Sequence, residues 1–144
     1  MIVAIKRIDK SLPMPEYQTS GAAAFDLYAR TDFEIGPGEL ARIPSNLIVD
    51  TPATHYLQIT LRSGTPKKKL GLVVPHGVGI IDSDYNGPED EILVQVLNTG
   101  KEIIKIEKGE RFAQAAFVRI DMAEFEEIEE TVTAESRGNF GSTG

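Results

Sequence analysis

The chain has 144 residues, no cysteine and a formal net charge of −7. That length suits one domain with a single core, and the absent thiols exclude disulfides, thiolate metal sites and Cys–His catalysis. The acidity argues against broad nucleic-acid binding, which rests on an excess of lysine and arginine; a polyanionic ligand would have to be small and met by a few placed arginines with a divalent cation. The opening MIVAIKRIDK lacks the apolar stretch of a signal peptide and no segment reaches membrane-spanning length, so no membrane partner and a cytoplasmic setting are expected.

Taken in order, the elements read as β. Ile2–Ile8 alternates loosely, Tyr56–Leu61 alternates clearly, and Ile92–Leu97 is apolar enough for a buried strand. Turn signals separate them at Gly36-Pro37-Gly38, Thr51-Pro52, Gly64-Thr65-Pro66, Asn86-Gly87-Pro88 and Asn98-Thr99-Gly100. Met122–Glu130 has a helix-like acidic composition, but Phe125 and Ile128 make no apolar stripe, so a strand is predicted there. Short strands at this spacing predict an all-β sandwich, barrel or jelly roll. With no internal repeat or interior linker, the reading is one β domain over 1–134 and a C-terminal arm over 135–144.

Five segments carry residues that a core does not require. AAAFDLYA places Asp26 in an apolar run, where a carboxylate needs a partner: a nearby arginine, or a metal ion or its water. RSG, directly after a strand, offers Arg62, the Ser63 hydroxyl and the unhindered Gly64 N–H as a small anion cradle, or else an ordinary turn. Lys67–Lys69 reads mainly as solvated surface that attracts anions.

GVGIIDSDYNG runs from an apolar strand into a turn rich in Asp, Ser, Asn and Gly, which predicts a hairpin. Asp82 ends the apolar part, where a partly dry setting would make it a useful base. KGERFAQ holds a turn and Gln114. The terminal RGNFGSTG has little to bury and is expected to be mobile by itself. It nevertheless carries a forked cation, Arg137, an aromatic face, Phe140, and hydroxyl and backbone donors, which suit a phosphate and a base. No Gly-Lys-Ser/Thr phosphate loop and no His-Glu-x-x-His motif is present, and with only His55 and His76 zinc deaminase chemistry is excluded. Carboxylates, phosphate donors and a hard cation suit metal-assisted hydrolysis of a nucleotide phosphate.

In order and spacing, AAAFDLYA, RSG, GVGIIDSDYNG, KGERFAQ and RGNFGSTG resemble the five motifs of the trimeric deoxyuridine triphosphate nucleotidohydrolases (dUTPases), from residue 22 to the last. The resemblance implies a β-clip or jelly-roll barrel assembled as a homotrimer. Its shared active sites would take the cradle and Gln114 from one chain, the hairpin from a second and the arm from a third. It implies hydrolysis of dUTP to dUMP and pyrophosphate, limiting uracil incorporation into DNA and supplying dUMP for thymidylate synthesis.

Carried over residue by residue, Asp82 would orient and deprotonate the water that attacks the α-phosphorus. Tyr85 would pack under the deoxyribose and exclude UTP. Backbone groups near Gly77 and Gly79 would read the uracil edge, with His76, Ile80 and Ile81 in the same substrate-binding stretch. Arg62, Ser63, Gly64 and Gln114 would hold the phosphates, and Asp26 would position Mg²⁺ through its waters. Arg137 would reach the γ-phosphate and Phe140 would stack on uracil, while Gly141, Ser142 and Thr143 would close over the chain. The arm is two residues shorter than the RGxGGFGSTG form, and Pro88–Glu91 lengthens the turn after Gly87. Two other readings stand beside this one. The dCTP deaminases of the same superfamily use a glutamate where Gln95 falls, and Gln95 is no base. A binding module without turnover would lack the base or the tail, whereas Asp82, Tyr85 and Phe140 are present.

Overall fold

The computed structural model describes residues 1–129. In chain order its elements are β1 (Ile5–Arg7), β2 (Phe25–Tyr28), β3 (Phe33–Ile35), β4 (Leu40–Pro44), β5 (Leu47–Val49), β6 (His55–Leu61), the one-turn helix α1 (Thr65–Lys68), β7 (Leu72–Val73), β8 (Gly79–Ile81), β9 (Leu93–Asn98), β10 (Ile104–Ile106) and β11 (Arg111–Arg119). The architecture is the all-β jelly roll that the sequence predicts. Four sheets, ordered β1-β5, β10-β3, β2-β11-β6-β8 and β4-β9-β7, pair antiparallel throughout. Most neighbours are distant in sequence, so the strands cross between sheets and wrap one core.

Alternation decides which face is inside. In β6, Leu57 and Ile59 are buried between partly exposed neighbours, and in β9 Val94 and Val96 are buried beside exposed Leu93. These side chains join Leu27, Ile35, Ile43, Ile92, Ile106 and Phe112 in the core. Asn98, fully buried at the end of β9, donates to the Ile35 and Glu102 carbonyls (2.9 and 2.8 Å) and accepts from Gly100 N–H. Its hydrogen bonds satisfy a polar group that would otherwise be costly inside.

The three predicted strands are present as β1, β6 and β9, although the first begins only at Ile5. The strand predicted over Met122–Glu130 is not there: residues 122–129 belong to no strand or helix, and Phe125 is 95 % exposed. A strand needs an adjacent edge to satisfy its backbone, and the described residues pair none with this segment. No described helix is long and apolar enough to cross a membrane. The arm at 135–144, with Arg137, Phe140, Gly141, Ser142 and Thr143, lies outside the described residues.

Candidate active site

Strand β6 delivers Arg62, Ser63 and Gly64 directly after Leu61. Thr65 pins this turn from below: its hydroxyl donates to the Phe112 carbonyl of β11 at 2.8 Å, and its N–H returns to Arg62 O at 2.9 Å. Ser63 and Gly64 remain exposed, and their N–H groups donate to no described residue. Lys67 and Lys68 are solvated, as expected, whereas Lys69 is drawn down onto Glu110 at 3.1 Å.

Asp26 lies across from Gln114 in the β2–β11 ladder, and Gln114 lies across from Thr60 of β6. The three residues therefore stand in one row on the same face. The Gln114 amide donates to the Thr60 hydroxyl at 3.2 Å. Asp26 is 4 % exposed. One of its oxygens meets Arg62 Nε at 2.6 Å, and the other meets an Arg111 terminal nitrogen at 3.2 Å. The arginine partner foreseen for this carboxylate thus exists, twice over. Two guanidiniums on one carboxylate leave an excess positive charge beside the open N–H groups of the cradle, which favours an anion there.

The second group surrounds a cavity of about 260 Å³. After β7 the chain turns at Val74–Gly77, closed by Gly77 N–H to Val74 O at 3.0 Å. Gly77 sits at φ +80°, which a side chain would strain. The Val78 carbonyl can only accept, so the His76 Nδ1 that meets it at 2.6 Å donates. Gly79 pairs with Ile59 so closely that a Cβ would lie 3.0 Å from the Ile59 Cβ. His76, Gly79, Ile80, Ile81 and Tyr85 all line the cavity. Arg42 and Gln95, which no motif marks, complete the wall and bond to each other at 3.2 Å.

Beyond Ile81 the sequence predicts a hairpin, but β8 pairs with β6 and β9 pairs with β4 and β7. The intervening segment is a crossover between sheets. Asp82 opens it with a turn, Tyr85 N–H to Asp82 O at 3.2 Å. Because the chain swings outward here, Asp82 is exposed rather than partly dry, and its carboxylate bonds to no described residue. It is free to hold a water. Tyr85, 38 % exposed, donates its hydroxyl to the Glu91 carbonyl at 3.3 Å.

The cradle residues and the cavity residues form separate groups: Arg62, Ser63, Gly64 and Gln114 do not line the cavity. The sequence reading missed Arg111, which shares Asp26, and Arg30, which forks onto Glu91. The available signal was an arginine closing or opening an apolar run, as in LYAR and ERFA. Among the described residues no group of three or more His, Asp or Glu side chains is placed to cage a metal. The donor set, one carboxylate beside a phosphate cradle, fits Mg²⁺ held largely by substrate oxygens and water.

The dUTPase family model matches residues 10–144. The deoxyuridine 5'-triphosphate nucleotidohydrolase of Desulfitobacterium hafniense is 39 % identical over 147 aligned residues, covering 99 % of this chain and 94 % of its own. That of Haemophilus influenzae is 42 % identical over 141, covering 96 % and 91 %. Among solved structures, the Staphylococcus bacteriophage 80alpha dUTPase with dUPNHPP superposes with a TM-score of 0.86 at 26 % identity, over 99 % of this chain and 98 % of that one. With four of its five motifs placed on this fold and the family model matched along nearly its whole length, the chain belongs to the dUTPase family of hydrolases.

Proposed function

We propose that this chain hydrolyses dUTP to dUMP and pyrophosphate by in-line attack of an Asp82-activated water on the α-phosphorus. The observation that carries the mechanism is the Asp82 carboxylate, exposed and without a partner among the described residues, which directly follows the strand lining the cavity with Gly79, Ile80 and Ile81. A nucleoside seated there brings its α-phosphate towards Asp82. The carboxylate takes a proton from water as the new P–O bond forms, and the α,β-bridging oxygen leaves with its electron pair as pyrophosphate. Base catalysis of this kind contributes about 10²–10⁴-fold.

Tyr85 packs against the deoxyribose and leaves no space for a 2′-hydroxyl. Backbone groups at Gly77 and Gly79 read the uracil edge, and the narrow turn held by His76 rejects the thymine methyl. Arg62, Ser63, Gly64 and Gln114 bind the phosphates. Asp26 fixes Arg62 and would hold Mg²⁺ through its water, and the ion would neutralise phosphate charge. Arg137, Phe140, Gly141, Ser142 and Thr143 close the site, with 135–144 as an arm on a body of 1–134.

A homotrimer with shared sites is part of this reading. The separation of cradle from cavity within one chain supports it. So does the outer face of the β4-β9-β7 sheet, where exposed Leu40 and Val73 flank Leu97 and exposed Leu93 lies further along β9 on the same face, among the described residues. The setting is the cytoplasm, and the effect is to limit uracil in DNA and to supply dUMP.

Pyrophosphate release from dUTP, UTP, dTTP and dCTP with Mg²⁺ tests the proposal. Turnover of dUTP alone, lost by at least about 10²-fold in Asp82→Asn, is the expected result. Ammonia release from dCTP would favour the deaminase reading, and no turnover by the wild type would favour a binding module.

A further inference from the structure

The crossover that begins at Asp82 ends at Glu91, and that end is a buried polar knot. Glu91 is 8 % exposed, and its two carboxylate oxygens meet Arg30 Nε and a terminal Arg30 nitrogen, both at 2.8 Å. Asn46 N–H donates to the same carboxylate at 2.8 Å. Asn46 is itself held at φ 70°, and its side-chain amide exchanges two hydrogen bonds with the Asp9 backbone. Two separated segments therefore converge on one carboxylate, and a third is tied to it through Asn46. The intervening Pro88–Glu91 stretch, which reads as a mere lengthening of the turn, is also fastened: Gly87 N–H donates to the Asp90 carboxylate at 2.7 Å, and Asp90 N–H returns to Gly87 O.

A bidentate, partly buried ion pair contributes little net stability over apolar packing, but it fixes its two ends in one geometry. What Glu91 fixes is its own carbonyl, and that carbonyl is the hydrogen-bond partner of the Tyr85 hydroxyl. Tyr85 forms part of the cavity wall. We infer that Arg30 and Glu91 are positioning residues for the sugar-discriminating ring: the fork holds Glu91, and the Glu91 carbonyl holds Tyr85 against yielding to a 2′-hydroxyl. The inference rests on the role given to Tyr85 above. A ring excludes one added oxygen only if it cannot swing aside, so rigidity supplied from behind is what converts contact into selectivity.

The test compares kcat/KM for dUTP and UTP, with thermal unfolding in parallel, in wild type, Arg30→Lys, Glu91→Gln and Tyr85→Phe. Each variant breaks one link of the chain. The expected result is a dUTP-to-UTP preference reduced by about tenfold or more, expressed chiefly as a lower KM for UTP. A purely structural lesion lowers both substrates together and leaves the ratio unchanged. If Arg30→Lys or Glu91→Gln does not fold, Tyr85→Phe, which removes one oxygen and no core contact, decides the matter. A wild-type ratio in Tyr85→Phe, or in folded Arg30→Lys, overturns the inference. A wild type that turns over UTP as well as dUTP removes the role of Tyr85 itself, a result distinct from a selective wild type whose variants stay selective.

Discussion

Replacing Asp26 by Asn removes one negative charge from between two guanidiniums while leaving the volume almost unchanged. The carboxylate is nearly sealed, with Arg62 at 2.6 Å on one oxygen and Arg111 at 3.2 Å on the other. In the variant one contact becomes a hydrogen bond from a guanidinium to a neutral amide oxygen, and the other sets an amide NH₂ against a guanidinium. Breaking a fully buried pair costs about 3–5 kcal/mol. Here the Arg62 and Arg111 side chains are 30 and 41 % exposed, so water takes up part of the released charge. A loss of about 2–3 kcal/mol follows, since a hydrogen bond to a charged group contributes about 1.5–3 kcal/mol. With an unfolding entropy near 2.1 cal/mol/K per residue, a chain of 144 residues loses about 7–10 °C in Tm. The assay is thermal unfolding without nucleotide at fixed protein concentration, because any association shifts Tm by mass action. Run with Mg²⁺ and with EDTA, the drop should be the same, since the two arginines and not a metal set it. A shift below about 2 °C, or one confined to the Mg²⁺ buffer, refutes the reasoning.

Gly79→Ala places a Cβ 3.0 Å from the Ile59 Cβ inside the cavity wall, forcing β8 away from β6. A stability loss of about 1–3 kcal/mol and a raised KM for dUTP are expected, read by urea unfolding and steady-state kinetics. At Asp9, the Lys108 ammonium at 2.6 Å and the Ser11 donors hold the carboxyl well below its ordinary range. A depressed folded-state pKa gives stability that is fully present above the unfolded value, near about 4, and lost as pH falls through the folded one. The difference in unfolding midpoint between wild type and Asp9→Asn should therefore be constant near neutrality and shrink below about pH 4. A difference that grows on acidification contradicts the assignment.

Much of this protein was legible in its residues. Alternating Leu57 and Ile59, the apolar run at Ile92–Leu97 and recurrent Gly and Pro turns specify an all-β chain, because side-chain period and turn chemistry are local properties. The motif order identifies the family, and RSG and GIIDSDY mark the cradle and the cavity. Local pattern also has limits. Met122–Glu130 reads as a strand, but a strand exists only where another edge accepts its hydrogen bonds. The turn after Ile81 reads as a hairpin, yet β8 and β9 go to different sheets. Partners distant in sequence are invisible in the same way. Arg62, just past β6, and Arg111, opening β11, meet on Asp26, and Arg30 reaches Glu91 across 61 positions. The sequence alone determined which residues are candidates to bear the chemistry. The tertiary structure decided which charges neutralise one another and what stands behind Tyr85, because ion pairs and hydrogen bonds depend on distance in space and not on separation along the chain.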